Sequence, residues 1–184
     1  MILISMEMIA KGKRGVVYKQ GRYAIKVERK ESKAVNRIEN EVKWLKILNK
    51  EGIGPKFHKF EDGKLYMEFI DGKLILDYCE GKRKEIVVKV LVDLLEQCRK
   101  MDKIGVNKFE MHHPLKHVLI RKGKVVMIDF ERCRNTQKPK NVTQVCQFYS
   151  RYFEVKGILE KAKKYKESYS EKSYKEILKC LINT

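Results

Sequence analysis

A single break at Asp71-Gly72 divides this 184-residue chain into a mainly strand-patterned and a mainly helix-patterned part. Before that point short runs of β-branched and aromatic residues alternate with turn signals. Residues 3 to 28 read as three short strands, with Gly12 and Gly15 marking the first connection and Gln20-Gly21 the second. The runs RGVVYKQ (14 to 20) and YAIKVE (23 to 28) carry the β-formers. Ser32 is the expected N-cap of a helix whose apolar positions are Val35, Ile38, Val42, Leu45 and Leu48, ended by Gly52, Gly54 and Pro55. Two further strands, 56 to 60 and 64 to 69, flank the hairpin sequence Glu61-Asp62-Gly63. Beyond the break the period becomes helical. Residues 84 to 103 set Ile86, Val90, Leu94 and Cys98 on one stripe. A hairpin, 118 to 121 and 124 to 128 around Lys122-Gly123, interrupts the helices, which resume over 139 to 184. Five strands with one inserted helix, followed by a mainly helical part, predict an α+β fold in two lobes, 1 to 70 and 71 to 184.

Composition excludes several classes. With 43% hydrophobic and 36% charged residues the chain is neither disordered nor membrane-spanning, since no apolar run matches a bilayer. The opening MILISMEMIA is short, carries Glu7 and lacks a basic leader, so it reads as a strand and not a signal peptide; a cytoplasmic location is expected. Cys79, Cys98, Cys133, Cys146 and Cys180 are odd in number and scattered, which predicts reduced thiols, not disulfides or a cysteine zinc site. The net charge is +18, with Lys far outnumbering Arg and Glu outnumbering Asp. That bias matches thermal adaptation. The surplus of positive charge also attracts polyanions, including RNA. A generally basic surface without a specific partner explains the charge equally well, because no arginine-rich or aromatic-interleaved tract accompanies it.

Four short motifs carry chemistry. In Ala10-Lys-Gly12-Lys-Arg-Gly15-Val-Val17-Tyr, two glycines at a strand turn let backbone amides approach a phosphate, although hairpin glycines are more often plain turn residues. In Ala24-Ile25-Lys26 the lysine is flanked by apolar residues on the next strand, where most lysines are simply solvated. Glu41 lies on the helix that follows and could pair with Lys26, or be an ordinary exposed glutamate; Glu39, two residues away, faces elsewhere. Val126-Met-Ile-Asp129-Phe-Glu131 ends an apolar strand in an aspartate suited to hold Mg²⁺ against phosphates.

In order and spacing, these motifs together with the Y-M-E-F-I-D-G stretch at 66 to 72 resemble a protein-kinase domain. The layout, the phrase GIGPKF after the glutamate helix and the ending I-D-F-E are most similar to the atypical kinases, namely the RIO kinases and the small kinase of the KEOPS tRNA-modification complex. The resemblance implies a bilobal fold, with a five-stranded antiparallel sheet and one helix in the first lobe and a reduced helical second lobe. It further implies that Gly12, Gly15, Val17 and Ala24 surround ATP. Lys26 contacts its α- and β-phosphates under the hold of Glu41, the backbone of Glu68 to Ile70 bonds adenine, and Asp129 binds Mg²⁺. The first glycine of the usual three is Ala10, and the usual D-F-G is Asp129-Phe130-Glu131, which implies a more fixed metal loop.

The catalytic loop departs from the pattern. Where the family has H-x-D-x-x-x-x-N before a strand, this chain has Glu110-Met-His112-His113-Pro-Leu-Lys116-His117, so His112 takes the aspartate position and His117 the asparagine position. Three of the four histidines fall here. One reading is an active site with altered chemistry, in which His112 accepts a hydroxyl proton, as an imidazole can at neutral pH, or Glu110 reaches in, and His117 binds metal or a phosphate oxygen. The second is a pseudokinase that binds nucleotide without transfer. A third has Glu110, His112, His113 and His117 binding a transition metal, which Pro114 disfavours unless it opens a helix. No long peptide-binding segment ending in A-P-E follows Arg132. The sequence therefore predicts an atypical serine/threonine-type kinase using Mg-ATP. It leaves two alternatives: a nucleotide-binding partner in an RNA-modification or ribosome-linked assembly, and a basic RNA-binding module.

Overall fold

The computed structural model describes residues 6–12, 15–29 and 36–183. The chain packs as two units. The first holds residues 1 to 71 together with 126 to 133; the second holds 72 to 125 and 134 to 184.

In the first unit β1 (Glu7–Lys11), β2 (Gly15–Gln20), β3 (Tyr23–Glu28), β4 (Phe57–Glu61) and β5 (Lys64–Glu68) form an antiparallel sheet in the order β1-β2-β3-β5-β4. The β4–β5 turn has both Asp62 (φ 49°) and Gly63 (φ 69°) in the left-handed region, the geometry that matches hairpin twist. Helix α1 (Arg37–Lys50) lies between β3 and β4 in sequence and buries Ile38, Val42, Leu45 and Leu48, the stripe read from the sequence. Ser32, Val35, Lys13, Arg14 and residues 3 to 5 lie outside the described residues. The first-turn amides of α1 at Arg37 and Ile38 instead donate to the Glu28 carboxylate, at 2.8 and 3.1 Å. A side chain from the end of β3 thus satisfies amides that a local cap normally serves.

The second unit contains β6 (Lys73–Leu74), α2 (Ile75–Cys79), α3 (Lys84–Lys103), β7 (Val106–Asn107), β8 (Val118–Arg121), β9 (Lys124–Met127), β10 (Arg134–Asn135), α4 (Asn141–Tyr152), α5 (Ile158–Ser168) and α6 (Glu171–Ile182). Residues 126 and 127, at the end of β9, carry the chain back into the first unit. Helix α3 has the expected limits and buries Val90, Leu94 and Cys98; α4 buries Val142, Val145, Phe148 and Tyr149 completely. The two-residue strands β6, β7 and β10 and the short α2 carry too little periodicity to be read from sequence. No helix among the described residues is long and apolar enough to cross a membrane. The five cysteines are free, four of them buried.

A buried polar cluster fixes where the histidine-rich loop starts. Asp102 accepts from the amides of Asn141 (3.1 Å) and Val142 (3.3 Å), from the Asn141 side chain (2.8 Å) and from the Tyr165 hydroxyl (3.0 Å). Asn141 in turn accepts from the Lys108 amide (2.8 Å) and donates to the Val106 carbonyl (2.6 Å). Burial pushes the Asp102 carboxyl up, and its four donors oppose that. Asp102→Ala strands these donors inside the second unit. A loss of about 3 kcal/mol in urea-unfolding stability is expected, and Asp102→Asn, which keeps an acceptor, loses less.

Candidate functional site

The site is built on the first unit and centres on Lys26. In the register of the sheet Val17 of β2 lies opposite Lys26 of β3, and Ala24, two residues earlier, shares the Lys26 face. Gly15 starts β2 beside them. A Cβ there would stand 3.0 Å from the Val27 carbonyl oxygen and 3.7 Å from Lys26 Cε, so the close approach of the two strands suits glycine. The Gly12 amide donates to the Gly15 carbonyl at 2.9 Å and closes the turn whose central residues lie outside those described.

Lys26 Nζ sits among three carboxylates: Glu41 Oε2 at 2.5 Å, Asp129 Oδ1 at 3.0 Å and Glu131 Oε2 at 3.5 Å. Burial alone would lower the Lys26 ammonium, but the carboxylates of Glu41, Asp129 and Glu131 outweigh it and hold the group above its ordinary value. Glu41 is 1% exposed, and this burial pushes its carboxyl up, against the opposing pull of Lys26 and of the Phe130 amide. Glu39, by contrast, is exposed. Both Glu41 oxygens are engaged: Oε2 on Lys26 and Oε1 on the Phe130 amide, which donates at 3.2 Å. Glu41 is thus placed to hold the lysine and the following loop.

Asp129 adopts a left-handed backbone (φ 65°), a conformation aspartate tolerates better than most residues. Its neighbour Phe130 is buried, and Gly54 makes room for it: at φ +84° Gly54 faces the ring so closely that a Cβ would lie 2.7 Å from Phe130 Cε2. The ligand oxygens of Glu41, Asp129 and Glu131 lie within 4.8 Å of one another, the sole such grouping among the described residues. With Glu41 committed, the exposed fraction belongs to Asp129 (32%) and Glu131 (11%). Two carboxylates beside an ammonium leave surplus negative charge and oxygen donors only, a set that fits a hard cation such as Mg²⁺. Glu131 was missed by sequence reasoning, which saw in it only the loss of a glycine.

At the stretch from Glu68 to Ile70 the fold already uses two amides: Glu68 donates to the Lys56 carbonyl (2.8 Å) and Phe69 to the Arg22 carbonyl (2.9 Å). Ile70 is buried. In the second unit residues 109 to 117 form successive turns, not a helix. Glu110 is left-handed (φ 69°), its carbonyl accepts from the His113 amide, and the Pro114 carbonyl accepts from the His117 amide. His112 is exposed and His117 half-buried. His113 Nδ1 is 2.9 Å from the Tyr152 hydroxyl. Among the described residues Glu110, His112, His113 and His117 do not group three ligand atoms within 4.8 Å of one another, and Pro114 opens no helix.

No protein-family model matches the sequence, and no curated protein matches it. Solved structures do match. One is the Rio2 kinase of Chaetomium thermophilum in an ADP/Mg²⁺-phosphoaspartate complex, at 15% identity and a TM-score of 0.61 over 97% of this chain and 70% of that one. Another is WbdD bound to the kinase inhibitor LY294002, at 17% identity and a TM-score of 0.62 over 96% of this chain; the match spans only 45% of WbdD. At such identities the likeness concerns architecture, and it agrees with the five-stranded antiparallel sheet and helices described above: the chain has an α+β, protein-kinase-like fold.

Proposed function

We propose that this protein binds Mg-ATP at Lys26 and Asp129 and acts as an atypical kinase that phosphorylates a serine, threonine or other hydroxyl. The observation that carries the reading is the buried Lys26–Glu41 pair facing Asp129. Bound Mg-ATP would supply an activated phosphoryl group. Lys26 neutralises α- and β-phosphate oxygens, and Glu41 keeps its ammonium in place. Asp129, assisted by Glu131, holds Mg²⁺. Gly12 and Gly15 leave the two ends of the covering turn without side chains, and Val17 and Ala24 offer an apolar face to the base. With the Glu68 and Phe69 amides already used, Ile70 is the backbone partner for adenine. Within the second unit, exposed His112 is the candidate to take a hydroxyl proton from an acceptor. The resemblance to RIO-type kinases favours this reading over a peptide kinase with a long docking segment.

The test is thermal unfolding with and without Mg-ATP. Ligand at a hundredfold excess over its Kd stabilises by about 2.7 kcal/mol, a Tm rise of roughly 5–10 °C. Asp129→Asn retains the left-handed backbone and loses the charge; the Mg²⁺-dependent part of the rise should vanish. No shift with any nucleotide sinks the proposal.

A pseudokinase is the second reading, favoured by the absence of a carboxylate at position 112 and by the tie of His113 to Tyr152. Turnover of labelled ATP that is abolished in His112→Ala supports the enzyme; binding without turnover supports the partner protein.

A further inference from the structure

Two consecutive residues of α1 bond to the backbone of the metal segment on either side of Phe130 and Glu131. Glu41 Oε1 accepts from the Phe130 amide, and Asn40 Nδ2 donates to the Glu131 carbonyl at 2.7 Å and to the Cys133 carbonyl at 3.4 Å. The other end of the Asn40 amide accepts from Trp44 Nε1 at 3.0 Å. This last contact decides the amide's orientation. An indole N–H can only donate and a backbone carbonyl can only accept, so Oδ1 must face Trp44 and the NH₂ group must face the loop. Trp44 is buried on α1, one turn after Asn40, and Cys133 is buried as well.

We propose that Asn40 is a positioning residue: oriented by Trp44, it fastens the 130–133 backbone to α1 and so keeps Asp129 and Glu131 at Lys26. The left-handed Asp129 needs such a hold, because a sparsely populated backbone state persists only where its surroundings over-determine it. Helix and metal segment then move as one body, and the lysine, its glutamate and the metal aspartate stand assembled without a separate activating step. The consequence for ligand binding rests on the proposed Mg-ATP site; the clamp itself does not.

Asn40→Asp is the sharpest probe, since it keeps the shape and sets a carboxylate against two carbonyls. Trp44→Phe removes only the orienting donor. Glu39→Ala, on the exposed side of α1, is the control. Hydrogen exchange of the 129–133 amides should quicken about tenfold or more in Asn40→Asp and less in Trp44→Phe, with the β4–β5 hairpin unchanged. Mg-ADP affinity should fall about tenfold or more in Asn40→Asp while Glu39→Ala matches wild type. Unchanged exchange at 129–133, or exchange rising equally everywhere, overturns the clamp as a positioning device. If exchange quickens locally but affinity holds, the assigned role in the site is overturned. If wild-type protein binds no nucleotide, the Mg-ATP reading falls, and local exchange still decides the clamp.

Discussion

Lys26→Met should cost the fold about 3–5 kcal/mol, more than a surface lysine could, because it leaves the Glu41 carboxylate buried without its cation. The methionine fills the space of the lysine stem, so the loss reports the stranded charge and not a cavity. The pH dependence gives the check. In the wild type Lys26 lies above its ordinary 10.5, so its contribution is complete below that pH and is lost only as pH rises through the still higher folded value. Glu41 already lies above 4.5, and without Lys26 burial pushes it further. Between the ordinary 4.5 and the raised folded value the folded variant then binds more protons than the unfolded chain, so its stability falls as pH rises. The gap between wild type and variant is therefore smaller at about pH 5 than at about pH 8. Adding Glu41→Gln to Lys26→Met removes the titrating group and keeps an acceptor for the Phe130 amide, so most of the stability should return and the pH dependence flatten. Urea unfolding at several pH values measures all three proteins. A constant gap across that range would show that Glu41 is not the buried charge at issue.

Gly54→Ala is the second large effect. The new methyl must adopt a left-handed backbone, which costs about 1–2 kcal/mol, and it meets Phe130 Cε2 at 2.7 Å and Leu45 Cδ1 at 3.1 Å. Overpacking of that kind adds about 1–3 kcal/mol. The total of about 2–5 kcal/mol corresponds to a Tm lowered by roughly 5–20 °C. Gly52→Ala separates the two causes: it is also left-handed (φ +73°), but its Cβ would meet nothing within 4 Å, so only the backbone term applies. Phe130→Leu in the Gly54→Ala background should recover part of the loss by making room. Because Phe130 follows Asp129, displaced rings should also weaken Mg-nucleotide stabilisation in Gly54→Ala and not in Gly52→Ala. Equal Tm values for the two glycine variants would refute the packing argument.

The sequence by itself determined the elements that rest on local chemistry. Asp62-Gly63 specifies a hairpin because both residues tolerate the left-handed backbone. The spacing of Val90, Leu94 and Cys98 specifies one buried face of α3, and the neighbours of Lys26 specify its strand. The sequence also offered Glu41 as a partner of that lysine, whereas Asp129 was expected on Mg²⁺ and its ion pair with Lys26 is seen only in the fold. Tertiary structure alone decided the rest, because it depends on contacts between residues far apart in sequence. The first amides of α1 are served by Glu28, nine and ten positions away, which no local cap pattern announces. Glu131 joins the carboxylates at Lys26, and Asn40 clamps the loop, across separations that periodicity does not encode. Residues 126 to 133 pack with the first unit although the chain on either side of them belongs to the second. The I-D-F-E stretch announced an aspartate that could hold a metal; only the folded protein shows Asn40 and Glu41 bonded to the backbone that follows it and Gly54 leaving room for the Phe130 ring.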